Sequence, residues 1–332
     1  MRWTAMGALG AAVVTGVALT ACSSGEASSP ASSGGTSGGS AAVQTLTLGA
    51  VPSLDLGLIE VAKAQGYFTQ AGVDVSIVPV DSGPNVVTGV VAGQYDIGST
   101  AYAPPLLAYG EGAPLQVVTS VGTVGEAGTN SGTLVRKDSG ITSWKDLAGK
   151  KVASNAPRSL LSLTIPAAVK ADGGDPSGIE IVPLPFTQIA KAVEDGQVDA
   201  GVSLEPFLTA GLKEYPQLTD LGDSISAALP QGTPSGVYFT STSTAESKGT
   251  AITGFSEAID KAIVYANAHL DEVKAAGAPL AGLTAEQAQA IPLSPFSQET
   301  SATTLKPLVD LMVAFSWLKA EPDLATFLGS SS

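Results

Sequence analysis

The chain of 332 residues has one cysteine and one histidine. A lone cysteine excludes an intramolecular disulfide, so the fold must hold by packing alone. The same scarcity excludes a His/Cys metal cluster, while an all-oxygen site stays open by count. No cofactor or metal is expected. Positive charge is also short: 16 Lys and Arg stand against 30 Asp and Glu, for a formal net charge of −14. Nucleic-acid binding relies on counterions displaced by a basic face, so nucleic acid is not a partner. The acidity itself serves solubility and identifies nothing further. Catalytic signatures are missing too. "GVSLE" (201–205) approaches a G-x-S-x-G elbow, but Glu205 stands where the last glycine belongs. The sole histidine, His269, lies in a C-terminal helical stretch far along the chain from Ser203. "LAGKK" lacks the upstream glycine and the Ser/Thr of a phosphate-binding loop, so ATP would be handled by another chain. Asp55 and Glu205 are carboxylates suited to acid–base work, yet nothing in the sequence brings them together. No catalytic residue is assigned.

What is present begins with "MRWTAMGALGAAVVTGVALTAC", where Arg2 precedes an apolar run too short and too rich in Gly and Ala for a membrane span. It closes on Leu19-Thr20-Ala21-Cys22, which resembles the lipobox of bacterial lipoproteins. That likeness implies a signal peptide over 1–21, a lipid on Cys22 and a place on the outer face of the cytoplasmic membrane. Residues 22–42 are mostly Ser, Gly and Ala, without apolar periodicity, and read as a flexible tether. A chain of that kind reaches about 25 Å.

From residue 46 short β-rich runs alternate with helical patterns. "LTLGAV", "GVDVSIVPV" and "YDIG" read as strands; "LGLIEVAKAQG", "NVVTGVVAGQ" and "YAPPLLAYG" read as helices. Such alternation predicts an α/β fold with parallel-type sheets flanked by helices. The pattern then repeats. Shifted by about 103 residues, Gly93-Gln94-Tyr95-Asp96-Ile97-Gly98 falls on Gly196-Gln197-Val198-Asp199-Ala200-Gly201 without a gap. Two lobes follow. The two C-terminal helical stretches need a sheet to cover, and the first lobe is the expected host. The expected division is 43–135 with 239–332 as lobe 1 and 136–238 as lobe 2, joined by two hinge crossings at 133–138 and 236–240.

In open parallel sheets ligands sit outside the carboxyl ends of the strands, where following helices present free N–H groups. The first lobe offers Ser53, Leu54 and Asp55; Ser82, Gly83 and Asn85; and Ser99, Thr100 and Ala101. The second offers Ser154, Asn155 and Arg158, then Phe186, then Glu205. Each Ser, Thr, Asn or Asp has a plainer role as a helix N-cap, with or without a ligand. Tyr102, Phe186, Phe207 and Tyr238 are candidates to stack on a ring or to fill core. Arg158 with several helix ends would suit a sulfonate-like anion if Glu205 turns away. A Glu205 facing the cleft would instead suit an amine or ring N–H, and the preference here is for a small polar heterocycle or amine.

The blocks "GYFTQAGVDVSIVPVDSGPNVVTGVVAGQYDIGSTAYAPPLLAYGEGAPLQVV" and "LVRKDSGITSWKDLAGKKVAS…VEDGQVDAGVSLEPFL" resemble the solute-binding lipoproteins of bacterial ABC importers. The group they resemble holds binders of aliphatic sulfonates, taurine, nitrate and thiamine-pyrimidine precursors. The resemblance implies a two-lobe type II periplasmic-binding fold, a monomer, and delivery of a small molecule to a membrane permease with a separate ATPase subunit. It carries over the ligand loops around Ser53–Asp55, Ser82–Gly83, Ser99–Ala101, Ser154–Arg158 and Glu205. The eukaryotic pyrimidine synthases of that group use a histidine with no counterpart here. Two other roles remain, a ligand-sensing surface lipoprotein and a surface enzyme.

Overall fold

The structure, a computed structural model, describes residues 43–125 and 130–329. The signal segment, Cys22 and the Ser/Gly tether lie outside the described residues.

Ten strands form two five-stranded sheets. The first contains β1 (Gln44–Ala50), β2 (Val73–Pro79), β3 (Ile97–Ala101) and β4 (Leu115–Thr123). The second contains β5 (Ser131–Arg136), β6 (Lys151–Ser154), β7 (Glu180–Pro183), β8 (Ala200–Leu204) and β9 (Leu218–Asp220). The last strand, β10 (Pro234–Ser241), returns to the first sheet. The orders are β2-β1-β3-β10-β4 and β7-β6-β8-β5-β9. Both sheets are mixed rather than wholly parallel. Four strands in each run in one direction, and the strand arriving from the other half inserts antiparallel between them.

The sequence repeat is thus a repeat of sheet register. Leu48 and Gly49 pair with Ile97 and Gly98, while Val152 and Ala153 pair with Ala200 and Gly201. The Gly-Gln-x-Asp runs set up that pairing. Gly93 and Gly196 turn out of their helices at φ 70° and 69°, a left-handed conformation that glycine adopts without steric cost. The aspartates then bond the first strand of each sheet, the Asp96 carboxylate accepting from the Thr47 N–H and Asp199 from the Lys151 N–H, both at 2.9 Å.

The crossings differ from expectation. β5 lies wholly in the second sheet and β10 wholly in the first, so 133–136 and 236–240 are sheet strands rather than connectors, and 137–138 form the turn that follows β5. The connections run just before them, through Val124 and through Gly232 and Thr233. These two segments bond each other: the Val124 N–H donates to the Thr233 carbonyl, and the Gly232 N–H to the Val124 carbonyl, both at 2.9 Å.

Apolar residues recur at helical spacing in Gly249–Ala268, from Ala251, Ile252 and Phe255 to Ile259, Ala262 and Ile263. That stripe packs against Leu46, Leu48 and Val75 of the first sheet. Ser301 opens the helix Ala302–Ala314 with a reciprocal cap involving Thr304, and its Leu305, Leu308 and Met312 join the core holding Leu106 and Phe327. Both C-terminal helices therefore belong with the first sheet.

Candidate functional site

Three serines occupy equivalent-looking helix N-cap positions, and their hydrogen bonds separate them. Ser159 caps Leu160–Ala171 through its side chain, accepting from the Ser162 N–H at 3.4 Å. Ser53 and Ser82 have the same extended backbone but make no side-chain cap bond. Both face cavities between the sheets instead. At these two positions the plain capping role does not hold.

The inner cavity, of about 180 Å³, is walled from both sheets. Ser53, Asp55, Gly83, Ser99, Thr100, Ala101 and Tyr238 come from the first; Asn155, Ser159, Leu160, Leu161, Phe186, Leu204 and Ile225 come from the second. An outer cavity of about 480 Å³ shares Val51, Asn155 and Phe186 with it and adds Asp81, Ser82, Asn85, Thr187 and Phe207. Phe186 lies at the junction, stacked on Phe207 with centroids 5.6 Å apart. Gly83 is there because of Thr100: a Cβ on it would lie 2.4 Å from the Thr100 hydroxyl oxygen. Asn155 has its Oδ1 buried with no hydrogen-bond partner among the described residues.

Four expected residues lie elsewhere. Leu54 is buried with Ala278, Ala281 and Ala288 beneath the C-terminal helices, where an apolar side chain belongs. Ser154 is fully buried, its hydroxyl 3.3 Å from that of Ser159, and lines neither cavity. Arg158 points out to pair with Glu111 of the first lobe at 3.0 Å. Glu205 folds back as a cap on the helix Phe207–Glu214, accepting from the Thr209 N–H at 3.1 Å and hydroxyl at 2.8 Å. That bonding holds its carboxylate away from the cleft. Tyr102, a stacking candidate, is core; its hydroxyl bonds Ser120 and Thr300.

Other lining residues escaped sequence reasoning. Asn130 and Ser235 lie at the starts of β5 and β10 rather than at their carboxyl ends, so a search of strand-to-helix loops passes over them. Asn130 is the direct partner of Asp55, its Nδ2 donating to Oδ1 at 3.2 Å. The signal available was the crossing itself, because any segment joining two lobes must pass the cleft.

Asp55 is the one charged side chain lining the inner cavity among the described residues. Burial pushes its carboxyl above the ordinary range, opposed by a backbone hydrogen bond. Burial and the Asp55 charge raise Tyr238 in turn, with a hydrogen bond to Ser99 acting against them. Among the described residues no lysine or arginine lines either cavity. A ligand anion about 5 Å from an ionised Asp55 would be repelled by roughly 3 kcal/mol at an effective dielectric of about 20. Helix ends return about 0.3–1 kcal/mol each, up to ~2 when partly buried. With Arg158 spent elsewhere, the two effects about cancel.

Ser203 is buried outside both cavities, and His269 stacks on Tyr265 at 4.0 Å, also away from them. The near-elbow and the sole imidazole therefore do not meet in the cleft.

Comparison with known proteins adds to this geometry. The family model described as NMT1/THI5 like matches residues 55–273, more than half of the chain. The chain belongs to the NMT1/THI5-like family. A relative in this sequence range, a putative aliphatic sulfonates-binding protein of Bacillus subtilis, is 27% identical over 69% of this chain and 68% of its own length. The 4-amino-5-hydroxymethyl-2-methylpyrimidine phosphate synthase THI13 of Saccharomyces cerevisiae is 30% identical over 47% of this chain and 44% of its own. So the chain spans less than half the length of that relative. Among solved structures, the alkanesulfonate-binding protein SsuA from Xanthomonas axonopodis pv. citri, bound to MOPS, superposes with a TM-score of 0.71. The match covers 87% of this chain and 99% of that one at 21% identity. The fold is accordingly the two-lobe periplasmic-binding-protein fold, and the chain's relatives include both a putative binding protein and a synthase.

Proposed function

We propose that this chain is the solute-binding component of an ABC importer, capturing a small organic molecule between its sheets and delivering it to a permease driven by a separate ATPase. A lipid on Cys22 and the Ser/Gly tether would hold it, as a monomer, at the outer face of the cytoplasmic membrane. It does no chemistry on the solute. The observation that carries this reading is the inner cavity, whose walls are contributed by both lobes. A molecule lodged there touches both at once, and so its binding energy favours the closed arrangement over the open one. The paired crossing segments at Val124 and Thr233 are where the lobes would turn. Support also comes from the family and from the B. subtilis relative named as a sulfonates-binding protein.

Native mass spectrometry of gently purified protein tests the capture role, followed by small-angle scattering of the stripped and reloaded forms. The expected result is a co-purifying small molecule, released unchanged, and a radius of gyration that falls on reloading. A molecule recovered chemically altered, or an unchanged radius at saturation, would count against the reading.

A further inference from the structure

The volume, lining and charge of the inner cavity restrict its ligand further. Its size, about 180 Å³, is slightly above that of an engineered apolar cavity of about 150 Å³ that takes up benzene. One substituted ring, or a hydrocarbon body of that bulk, fills it. Leu160, Leu161, Phe186, Leu204 and Ile225 form an apolar wall on the second-lobe side. Across from them stands Asp55, joined to the neutral Asn130 and facing no cationic side chain. The nearby arginine is engaged by Glu111 outside the cavity. The Oδ1 of Asn155, unpartnered and buried, is a second acceptor awaiting a donor. In the adjoining outer cavity the one charged lining side chain among the described residues is also negative, Asp81. A carboxylate partly withdrawn from water without a counter-ion is costly unless something arrives to pair with it.

We propose that the ligand is an organic cation, a ring-sized hydrocarbon body carrying an ammonium group that pairs with Asp55. This rests on the capture role and specifies its ligand class. Neither cavity offers a cationic partner for an anionic head group, so sulfonates and compact zwitterions are selected against. The cation approaches past the negative outer cavity and seats its body against the second lobe. Its ammonium supplies the charge that the cleft lacks.

Isothermal titration calorimetry of the mature chain with three probes of one shape tests this: benzylammonium, benzyl alcohol and benzenesulfonate. The expected order is benzylammonium at least tenfold tighter than benzyl alcohol, with benzenesulfonate weakest. Asp55→Asn should cost benzylammonium tenfold or more while benzyl alcohol changes less than twofold, which also certifies that the variant's cavity is formed. A second readout separates a binding role from a structural one. Because burial raises the Asp55 carboxyl, the folded state binds its proton more readily than the unfolded chain. Ionised Asp55 therefore destabilises the empty protein above its folded-state range, and the penalty disappears below its unfolded-state range. Asp55→Asn should accordingly unfold at a higher temperature than the parent at pH 8, by a margin that shrinks toward pH 4.

Benzenesulfonate binding more tightly than benzylammonium overturns the charge class and leaves the capture role standing. So does equal binding of amine and alcohol, or an amine affinity indifferent to Asp55→Asn. If no probe binds, the charge of a molecule co-purifying with the protein decides: a cation supports the proposal and an anion refutes it. Failure of every probe, with nothing co-purifying, refutes the capture role and the cation together.

Discussion

Asp96 in the first lobe and Asp199 in the second stand at the same point of the same motif, and each fastens its sheet by the same pair of backbone bonds. Asp96 takes the Thr47 N–H and returns its own N–H to the Thr47 carbonyl; Asp199 does so with Lys151. Around that shared frame the packing has been exchanged. In the first lobe the Tyr95 ring lies over Gly49 and Gly89, where added Cβ atoms would come within 2.4 and 2.1 Å of it. At the matching places of the second lobe stand Val198, Ala153 and Ala192. One large ring over two glycines in the first lobe corresponds to one smaller side chain and two alanines in the second. The mouths differ as well, since beside apolar residues the first lobe presents Ser53, Asp55, Ser99 and Thr100, whereas the second presents Asn155 and Ser159 beside Leu160, Leu161, Phe186, Leu204 and Ile225, with no charged side chain among the described residues. A repeat therefore carries over backbone bonding first, packing volume next and ligand chemistry least.

The anchors break the comparison with the largest effect. Asp96 also accepts from the Thr47 hydroxyl at 3.0 Å and pairs with Lys248 at 2.7 Å, and Asp199 makes no such additional bonds among the described residues. Burial pushes Asp96 up, yet its bonds from Lys248 and Thr47 outweigh that and hold it below the ordinary carboxylate range. A hydrogen bond to a charged group contributes about 1.5–3 kcal/mol, so Asp96→Ala should cost roughly 3 kcal/mol and Asp199→Ala about half that. Urea unfolding at pH 7 measures both. The Asp96 contribution is present above the unfolded-state range and fades as pH falls through its lower folded-state range. Equal losses at the two positions would remove the asymmetry.

Packing comes next. Gly89→Ala should cost about 1–3 kcal/mol, the usual toll of overfilling a packed site. Adding Tyr95→Val should recover most of it by converting the first lobe to the second lobe's solution. A double-mutant cycle in urea reads the coupling, and strictly additive losses would show that the ring and glycines are not matched to each other.

How much of this could be read in the sequence follows the same order. The Gly-Gln-x-Asp echo was legible because a left-handed turn and a carboxylate anchor demand particular residue types. Strand and helix periodicity placed the mouths of both sheets correctly. The crossings were misplaced because "SGTLVR" and "PSGVYFTS" alternate like any strand, and alternation does not say which sheet a strand joins. Side-chain direction was hardest. Ser53, Ser82 and Ser159 are the same residue at the same helix position and each lines a cavity, and only geometry tells the one that also caps its helix from the two that do not. Glu205 and Arg158 had nearby partners, Thr209 four residues on and Glu111 far back, that matched them better than a ligand.

Arg158 gives the smallest and most discriminating comparison. Its pair with Glu111 joins the two lobes, with the side chains 53% and 54% exposed. Exposed pairs of this kind contribute about 0–1 kcal/mol and weaken with salt. Arg158→Ala should therefore lower stability by no more than about 1 kcal/mol, and the difference should shrink further in 1 M salt. The affinity for whatever solute co-purifies should move less than threefold, because the guanidinium is not in the cavity. An arginine clamping an anionic head group behaves otherwise: truncating a buried charged partner costs about 2–5 kcal/mol of binding. That is well over tenfold at 1.4 kcal/mol per decade. A loss of that size at physiological salt would return Arg158 to the binding site and restore the anion as its ligand. A small, salt-screened loss leaves it as a strap across the outside of the cleft, with recognition resting on Asp55 and the apolar wall opposite.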